Sequence, residues 1–295
     1  MPSNLEILTQ INLDDLVASF GWQGRAWLAR PLRKLFLRPA QQLAAQVVEF
    51  DEALPTRGLP EAARQMLTHY VRSLRVFGAD RVADGPFLAL CNHPGMTDTL
   101  AAFAALNRPN LKIIAREAPF LQALPNTSQQ LFFLKEDSGS RVALVRQVAS
   151  HLRAGGAVLT FPAGRIEPDP DVYRGATESL ATWTDSVGVF LRMAPETPIL
   201  PMLVRGVLWD KFAHHWSLGI RKTKEERERL GAALQLLAHV GFGRTDVHVR
   251  VQIGKPIYAR ELGSNDTKIL HTAVLAEMKR LIESPLEGGD VIRIT

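Results

Sequence analysis

Cysteine occurs once in the 295 residues, at Cys91, which excludes an intramolecular disulfide framework and fits a reducing compartment. That cysteine closes an apolar run and reads as a small buried hydrophobe, not a nucleophile. No stretch approaches the roughly 18 consecutive apolar residues that a membrane-spanning helix needs. The opening residues, MPSNLEILTQINLDD, lack the basic n-region and apolar h-region of a secretory signal. A cytoplasmic location is therefore expected, with peripheral attachment to the cytoplasmic face of a membrane open. There is no P-loop, no dinucleotide glycine fingerprint, no internal repeat and no low-complexity tract. His214 and His215 are adjacent, point to different faces of any regular element and lack partners at ligand spacing, so no metal is expected. No nucleic-acid-binding motif is visible either, and no such partner is expected.

What is present is an ordinary globular composition, 46% hydrophobic and 22% charged, with a formal charge of +5. A positive balance favours anionic partners such as acidic lipid or phosphorylated small molecules. The excess is concentrated: Arg25, Arg30, Arg33, Lys34 and Arg38 stand in a stretch without one acid. Leu28, Leu32, Leu35 and Phe36 make an apolar stripe among them, with Trp22 and Trp27 close by. Residues 22–38 thus resemble a basic amphipathic element lying on an anionic membrane surface. The alternative is a helix packed on the protein's own core with its basic face in water.

Residues 1–78 read as an N-terminal helical segment. One helix covers 14–29, Pro31 suits the first turn of the next, and a third covers 61–76 after the breakers of 54–60. From there the texture changes, and 79–295 reads as an α/β domain. Short apolar runs at 86–91, 111–115, 131–134, 157–161 and 199–204 alternate with helical patterns at 98–106, 141–153 and 175–193. Strict alternation over 247–253 predicts a half-buried strand, 266–283 a closing helix, and 222–229 a solvated helix face. The expected architecture is a mixed, largely parallel sheet flanked by helices, with sites at the carboxyl ends of its strands.

Two strand ends carry chemistry. After Phe87 to Cys91 the run breaks at Asn92-His93-Pro94-Gly95, and Asp98 follows His93 by five residues. Within one helix that spacing would set the side chains about 140° apart. A turn between them allows convergence, the Asp holding one ring nitrogen while the other faces a substrate. Thr97 is placed to cap the helix that follows. The bland alternative is a surface turn whose Asp merely favours a helix N-terminus. The second break is Phe161-Pro162-Ala163-Gly164-Arg165-Ile166-Glu167, where a glycine turn and a fixed cation suit a phosphate or a developing oxyanion. Its bland alternative is a β-turn in which Arg165 pairs with Glu167 or Asp169.

Together these pieces resemble the glycerophospholipid acyltransferases, the HxxxxD family. Asn92 to Asp98 fits the first block, N-H-x-x-x-x-D, and Phe161 to Arg165 resembles the third, F-P-E-G-x-R. Ile199 to Gly206 resembles the fourth, and Ile253-Gly254-Lys255-Pro256-Ile257 the closing G-x-P-I, so the likeness spans roughly 79–260. It implies transfer of an acyl group from acyl-CoA or acyl-carrier protein to a hydroxyl of a glycerolipid precursor, glycerol 3-phosphate or lysophosphatidate. His93 would be the general base and Asp98 its orienting partner, with no cofactor besides the thioester co-substrate. Substrate would be held among Arg116, Lys135, Phe161, Pro162, Gly164, Arg165 and Glu167. The departures bear on the acceptor. Ala163 stands for the third-block glutamate, with Glu167 near enough to substitute, and Arg165 follows Gly164 directly. The second-block arginine position holds Glu136, leaving Lys135, Arg116 or Lys112 to supply a cation. An acyl thioesterase and a non-catalytic peripheral lipid-binding protein are the competing readings.

Overall fold

The computed structural model describes residues 3–21, 26–135, 137–185, 187–243, 246–263, 266–286 and 289–292. Trp22, Arg25 and Glu136, with the side chains of Trp27 and Leu28, lie outside the described residues. Among the described residues, eight strands form one mixed, mostly parallel sheet: β1 Ser73–Phe77, β2 Phe87–Cys91, β3 Leu111–Arg116, β4 Leu131–Leu134, β5 Ala157–Thr160, β6 Ile199–Arg205, β7 His248–Ile253 and β8 Asp290–Ile292. Their order is β4-β3-β5-β2-β6-β7-β1-β8. The first five in that order run parallel, β7 lies antiparallel to β6, β1 is parallel to β7, and β8 is antiparallel to β1. The predicted strands are all present. β2 takes a central place, and every residue of it is buried. A strand covered on both faces needs a continuous apolar run, and Phe87 to Cys91 supplies one.

Side chains alternate across the sheet and build two cores. Ala89, Cys91, Leu159, Met202 and Val251 face one side, where helices α3 (Leu59–Leu67) and α4 (Asp98–Leu106) pack. Leu88, Leu90, Val158 and Leu203 face the other, under the helices Ser138–Arg153, Val187–Met193 and Thr267–Glu283. The result is a helix–sheet–helix sandwich. No helix among the described residues is long and apolar enough to cross a membrane.

The N-terminal segment differs from its predicted form. Helix α1 is Asn4–Ser19, opened by a capping box between Ser3 and Glu6, and α2 runs Ala26–Arg57. Pro55 does not end α2, because Phe50 and Leu54 on its apolar stripe are buried in the same core as Ala101 and Phe103. Gly58, at φ 76°, makes the break instead and hands the chain to α3. The helix expected over 61–76 stops at Leu67, and β1 follows. β1 alternates over only five residues, with Leu74 and Val76 buried, and its partner β7 lies some 170 residues away in sequence. No local pattern announces such a pairing. Within residues 1–78, β1 contributes a strand to the sheet, and α2 and α3 contribute apolar side chains to the main core.

Candidate active site

β2 ends in the middle of the sheet, so the residues after Cys91 emerge at its carboxyl edge. Asn92 fixes that end. Its amide donates to the Val204 carbonyl at 2.8 Å and accepts the Val204 N–H at 2.7 Å, continuing the β2–β6 ladder with a side chain. The chain then bends through Gly95 and Met96, both in the left-handed region, at φ 87° and 55°. A Cβ at position 95 would also meet Ile166 at 3.2 Å. Glycine is required there by the backbone and tolerated by the packing.

The bend brings His93 and Asp98 together, with Nδ1 and Oδ2 2.7 Å apart. Asp98 opens α4 and its side chain is 2% exposed, against 30% for His93. Its carboxylate also accepts the Gly95 N–H at 2.7 Å and both the N–H and hydroxyl of Thr99. The expected cap by Thr97 is not made: that hydroxyl is buried without a hydrogen-bond partner, and Asp98 holds the turn in its place. With its Nδ1–H donated to Asp98, the His93 ring keeps a lone pair on Nε2, and the ring lines a cavity of about 520 Å³. Burial alone would lower the His93 pKa. The hydrogen bond and charge of Asp98, with the charge of Glu167, outweigh it and raise the pKa above the ordinary value.

Glu167, expected at the substrate, lies instead beneath the His93 turn. Its Oε2 accepts the His93 N–H at 3.0 Å while its own N–H donates to the His93 carbonyl at 2.8 Å. Oε1 accepts from Trp183 Nε1 at 2.8 Å and Ser179 Oγ at 3.0 Å. The side chain is buried, and burial raises its pKa against the pull of those hydrogen bonds. Glu167 thus braces the end of β2 from below. Trp183 and Ser179 were not legible as parts of the site, because nothing in their local sequence marks them.

The second strand end meets the first. The Phe161 ring packs on His93, centroids 4.5 Å apart and planes tilted by 32°. Thr160, Phe161 and Gly164 line the cavity, and Pro162 is buried behind them. Gly164, at φ 61°, donates its N–H to the Phe161 carbonyl at 3.0 Å, so that donor closes the turn instead of pointing at a ligand. Arg165 is exposed beside it. The two carboxylates considered as its partners are engaged elsewhere. Glu167 braces the His93 turn, and Asp169 accepts the N–H groups of Gly206, Val207 and Leu208.

The three remaining cations separate. Arg116, at the end of β3, lines the cavity. Lys112 turns away, donating to the Gln129 carbonyl at 3.0 Å and lying over the Phe132 ring. Lys135 is exposed, 3.9 Å from the Glu117 carboxylate, and is not among the residues lining the cavity. The rest of the lining is largely apolar. Val47 and Phe50 come from α2, Met66 from α3, Leu100 and Phe103 from α4, and Phe120 from the short helix Pro119–Gln122. Leu100 and Phe103 were legible as one helix face. Phe50 was legible as apolar but not as part of a cavity, since its neighbours come from distant stretches of chain.

A His–Asp pair at the end of a central parallel strand, open to an apolar cavity with an arginine in its wall, defines a site suited to acyl chemistry on a lipid-sized substrate. Residues 73–205, from the first residue of β1 to the last of β6, match the family model described as Acyltransferase. Of solved structures, the 1-acyl-sn-glycerophosphate (LPA) acyltransferase PlsC of Thermotoga maritima is similar over 93% of this chain and 96% of that one, at 17% identity and a TM-score of 0.45. None of the curated proteins compared matches the chain.

Proposed function

We propose that this acyltransferase moves a fatty acyl group from a thioester, acyl-CoA or acyl-carrier protein, to a hydroxyl of a glycerolipid precursor such as glycerol 3-phosphate or lysophosphatidate. The observation that carries the reading is the 2.7 Å His93–Asp98 contact on a ring that faces a largely apolar cavity. A hydroxyl attacks a thioester slowly until a base takes its proton. His93 Nε2 receives that proton as the oxygen bonds to the carbonyl carbon, and buried Asp98 stabilises the imidazolium. The tetrahedral intermediate then collapses, the carbon–sulfur bond breaks, and the proton on His93 goes to the departing thiolate. No enzyme nucleophile is needed. Cys91, the nearest thiol in sequence, is fully buried, and burial pushes its pKa well above the usual thiol value.

The apolar lining suits an acyl chain, and Arg116 in the wall with Arg165 at the rim suits a phosphate on the acceptor. Phe161 and Gly164 would border the reacting carbons, Pro162 would hold that turn, and Lys135 would act only from outside the cavity. A lipid acceptor would be met at a membrane, consistent with a peripheral position on a cytoplasmic face and with contact through 22–38. The test is thiol release from long-chain acyl-CoA and acyl-carrier protein, with glycerol 3-phosphate, with lysophosphatidate, and with neither. Acceptor-dependent release that His93→Ala abolishes is the expected result. Release that ignores the acceptor would make the protein a thioesterase, and equal rates for both proteins would remove His93 from the mechanism.

A further inference from the structure

We propose that the turn Trp216–Ile220 anchors the protein on an anionic lipid surface, next to the start of α2; the inference rests on the lipid-acceptor reading for its purpose, though not for its test. β6 runs parallel to β2 and beside it, so the residues after Arg205 leave the sheet at the edge that carries His93. The root of this segment is held firmly. Buried Asp169 accepts three successive N–H groups from Gly206, Val207 and Leu208, and Gln235 accepts the Trp209 N–H while donating to the Val207 carbonyl.

From that root the rings step outward. Trp209 meets Phe212 edge-on at 5.3 Å, Phe212 lies 6.5 Å from His215, and His215 lies 5.5 Å from Trp216. His215 is itself held by the Ser217 N–H on its Nδ1. Leu218 plugs the turn into the protein at 6% exposure, while Trp216 and Ile220 stand in water at 84% and 61%. A lone exposed aliphatic residue needs no explanation. A tryptophan on an ordered aromatic support, with an isoleucine beside it, is a rigid apolar prominence.

The far end of the turn is tied to the N-terminal helices. Arg221 donates to the Phe20 carbonyl at 3.3 Å, and its guanidinium occupies the space beside Gly21. Phe20 packs on Phe36 of α2 at 5.1 Å, and the neighbouring Leu35 is 68% exposed. The two segments that carry these apolar groups are basic. Residues 26–38 and 206–223 together carry Arg30, Arg33, Lys34, Arg38, Lys211, Arg221 and Lys222 against one carboxylate, Asp210. Arg33 and Arg221 are paired with Asp14 and Glu226. An indole, apolar in body with one N–H donor, suits the zone between headgroups and acyl chains, and the flanking cations favour anionic headgroups.

The experiment is flotation of the full chain with vesicles of phosphatidylcholine alone and with phosphatidylglycerol added. Three proteins are compared: wild type, Trp216→Ser with Ile220→Ser, and Arg30→Gln with Lys34→Gln and Arg38→Gln. Circular dichroism confirms that each is folded. Wild type should bind the anionic vesicles, and the Trp216/Ile220 pair should weaken binding by roughly tenfold, the scale expected when buried apolar area is lost. Brominated acyl chains should quench wild-type fluorescence, and Trp216→Phe should remove that quenching while keeping most of the binding. Three results would overturn the proposal: no vesicle binding by wild type, equal binding by the Trp216/Ile220 variant, or loss only in the α2 variant. Thiol release with glycerol 3-phosphate should be unchanged in the Trp216/Ile220 variant. Its absence in every protein would count against the proposed reaction and leave the binding result standing.

Discussion

His93 gives the protein two pH dependences of opposite sign. Its pKa is raised in the folded state, so the protonated ring favours folding; that contribution is complete below the unfolded value of about 6.5 and is lost as pH rises through the folded pKa. The base must be neutral to work, so kcat/KM should rise across that same window, with a limb above about 6.5. A limb at or below that value would show that Asp98 and Glu167 do not act on the ring in solution. His93→Ala should cost about 10²- to 10⁴-fold in rate. Glu167→Gln removes one of the charges that raise the His93 pKa, so the limb should move to lower pH, at some cost in stability because the amide nitrogen cannot accept from the donor it would face. Glu167→Ala would strip acceptors from the His93 N–H and the Trp183 indole, and should destabilise by about 1–3 kcal/mol for each buried donor left unpaired. Arg116→Ala should raise KM for a phosphate-bearing acceptor by about 10- to 100-fold, the range set by a charge-assisted hydrogen bond. An unchanged KM would place the phosphate elsewhere, with Arg165 the next residue to substitute.

At the scale of elements, α2 joins the N-terminal region to the chemistry. Its outer half carries the basic residues, and its inner half puts Val47 and Phe50 into the cavity wall. Enlarging one of them should shorten the acyl chain accepted. Phe50→Trp is expected to lower kcat/KM for long-chain relative to short-chain donors by roughly tenfold or more, since a methylene's worth of space in an apolar pocket is worth that much. Uniform loss across chain lengths would mean that Phe50 serves packing alone. The same helix shows why some elements were legible and others were not. β2 and α4 declare themselves because each is a short run with one dominant pattern, a continuous apolar strand in one and an apolar helical run after a sharp turn in the other. α2 overrides Pro55 because tertiary burial of Phe50 and Leu54 outweighs one missing backbone bond. β1 exists by virtue of β7, and a five-residue alternation is too short to say so.

For the whole molecule, the first 57 residues are part of the main core through Phe50 and Leu54. Removing α1 and α2 would take Phe50 and Leu54 out of the main core and leave the cavity without Val47 and Phe50 in its wall. The truncated chain is expected to aggregate or to lose its cooperative thermal transition by circular dichroism. A soluble, cooperatively unfolding domain from residue 58 onward would show that the N-terminal helices only dock. By itself the sequence determined the largely parallel α/β character, the buried strand Phe87 to Cys91 and the turn that allows His93 and Asp98 to converge, because each depends on spacing and hydrophobic period within a few residues. Only the tertiary structure decided that Glu167 braces the His93 turn, that Arg116 and not Lys112 or Lys135 lines the cavity, and that α2 and α3 help to wall it. Those outcomes rest on contacts between distant stretches of chain, and the direction in which a side chain points is set by what packs against it.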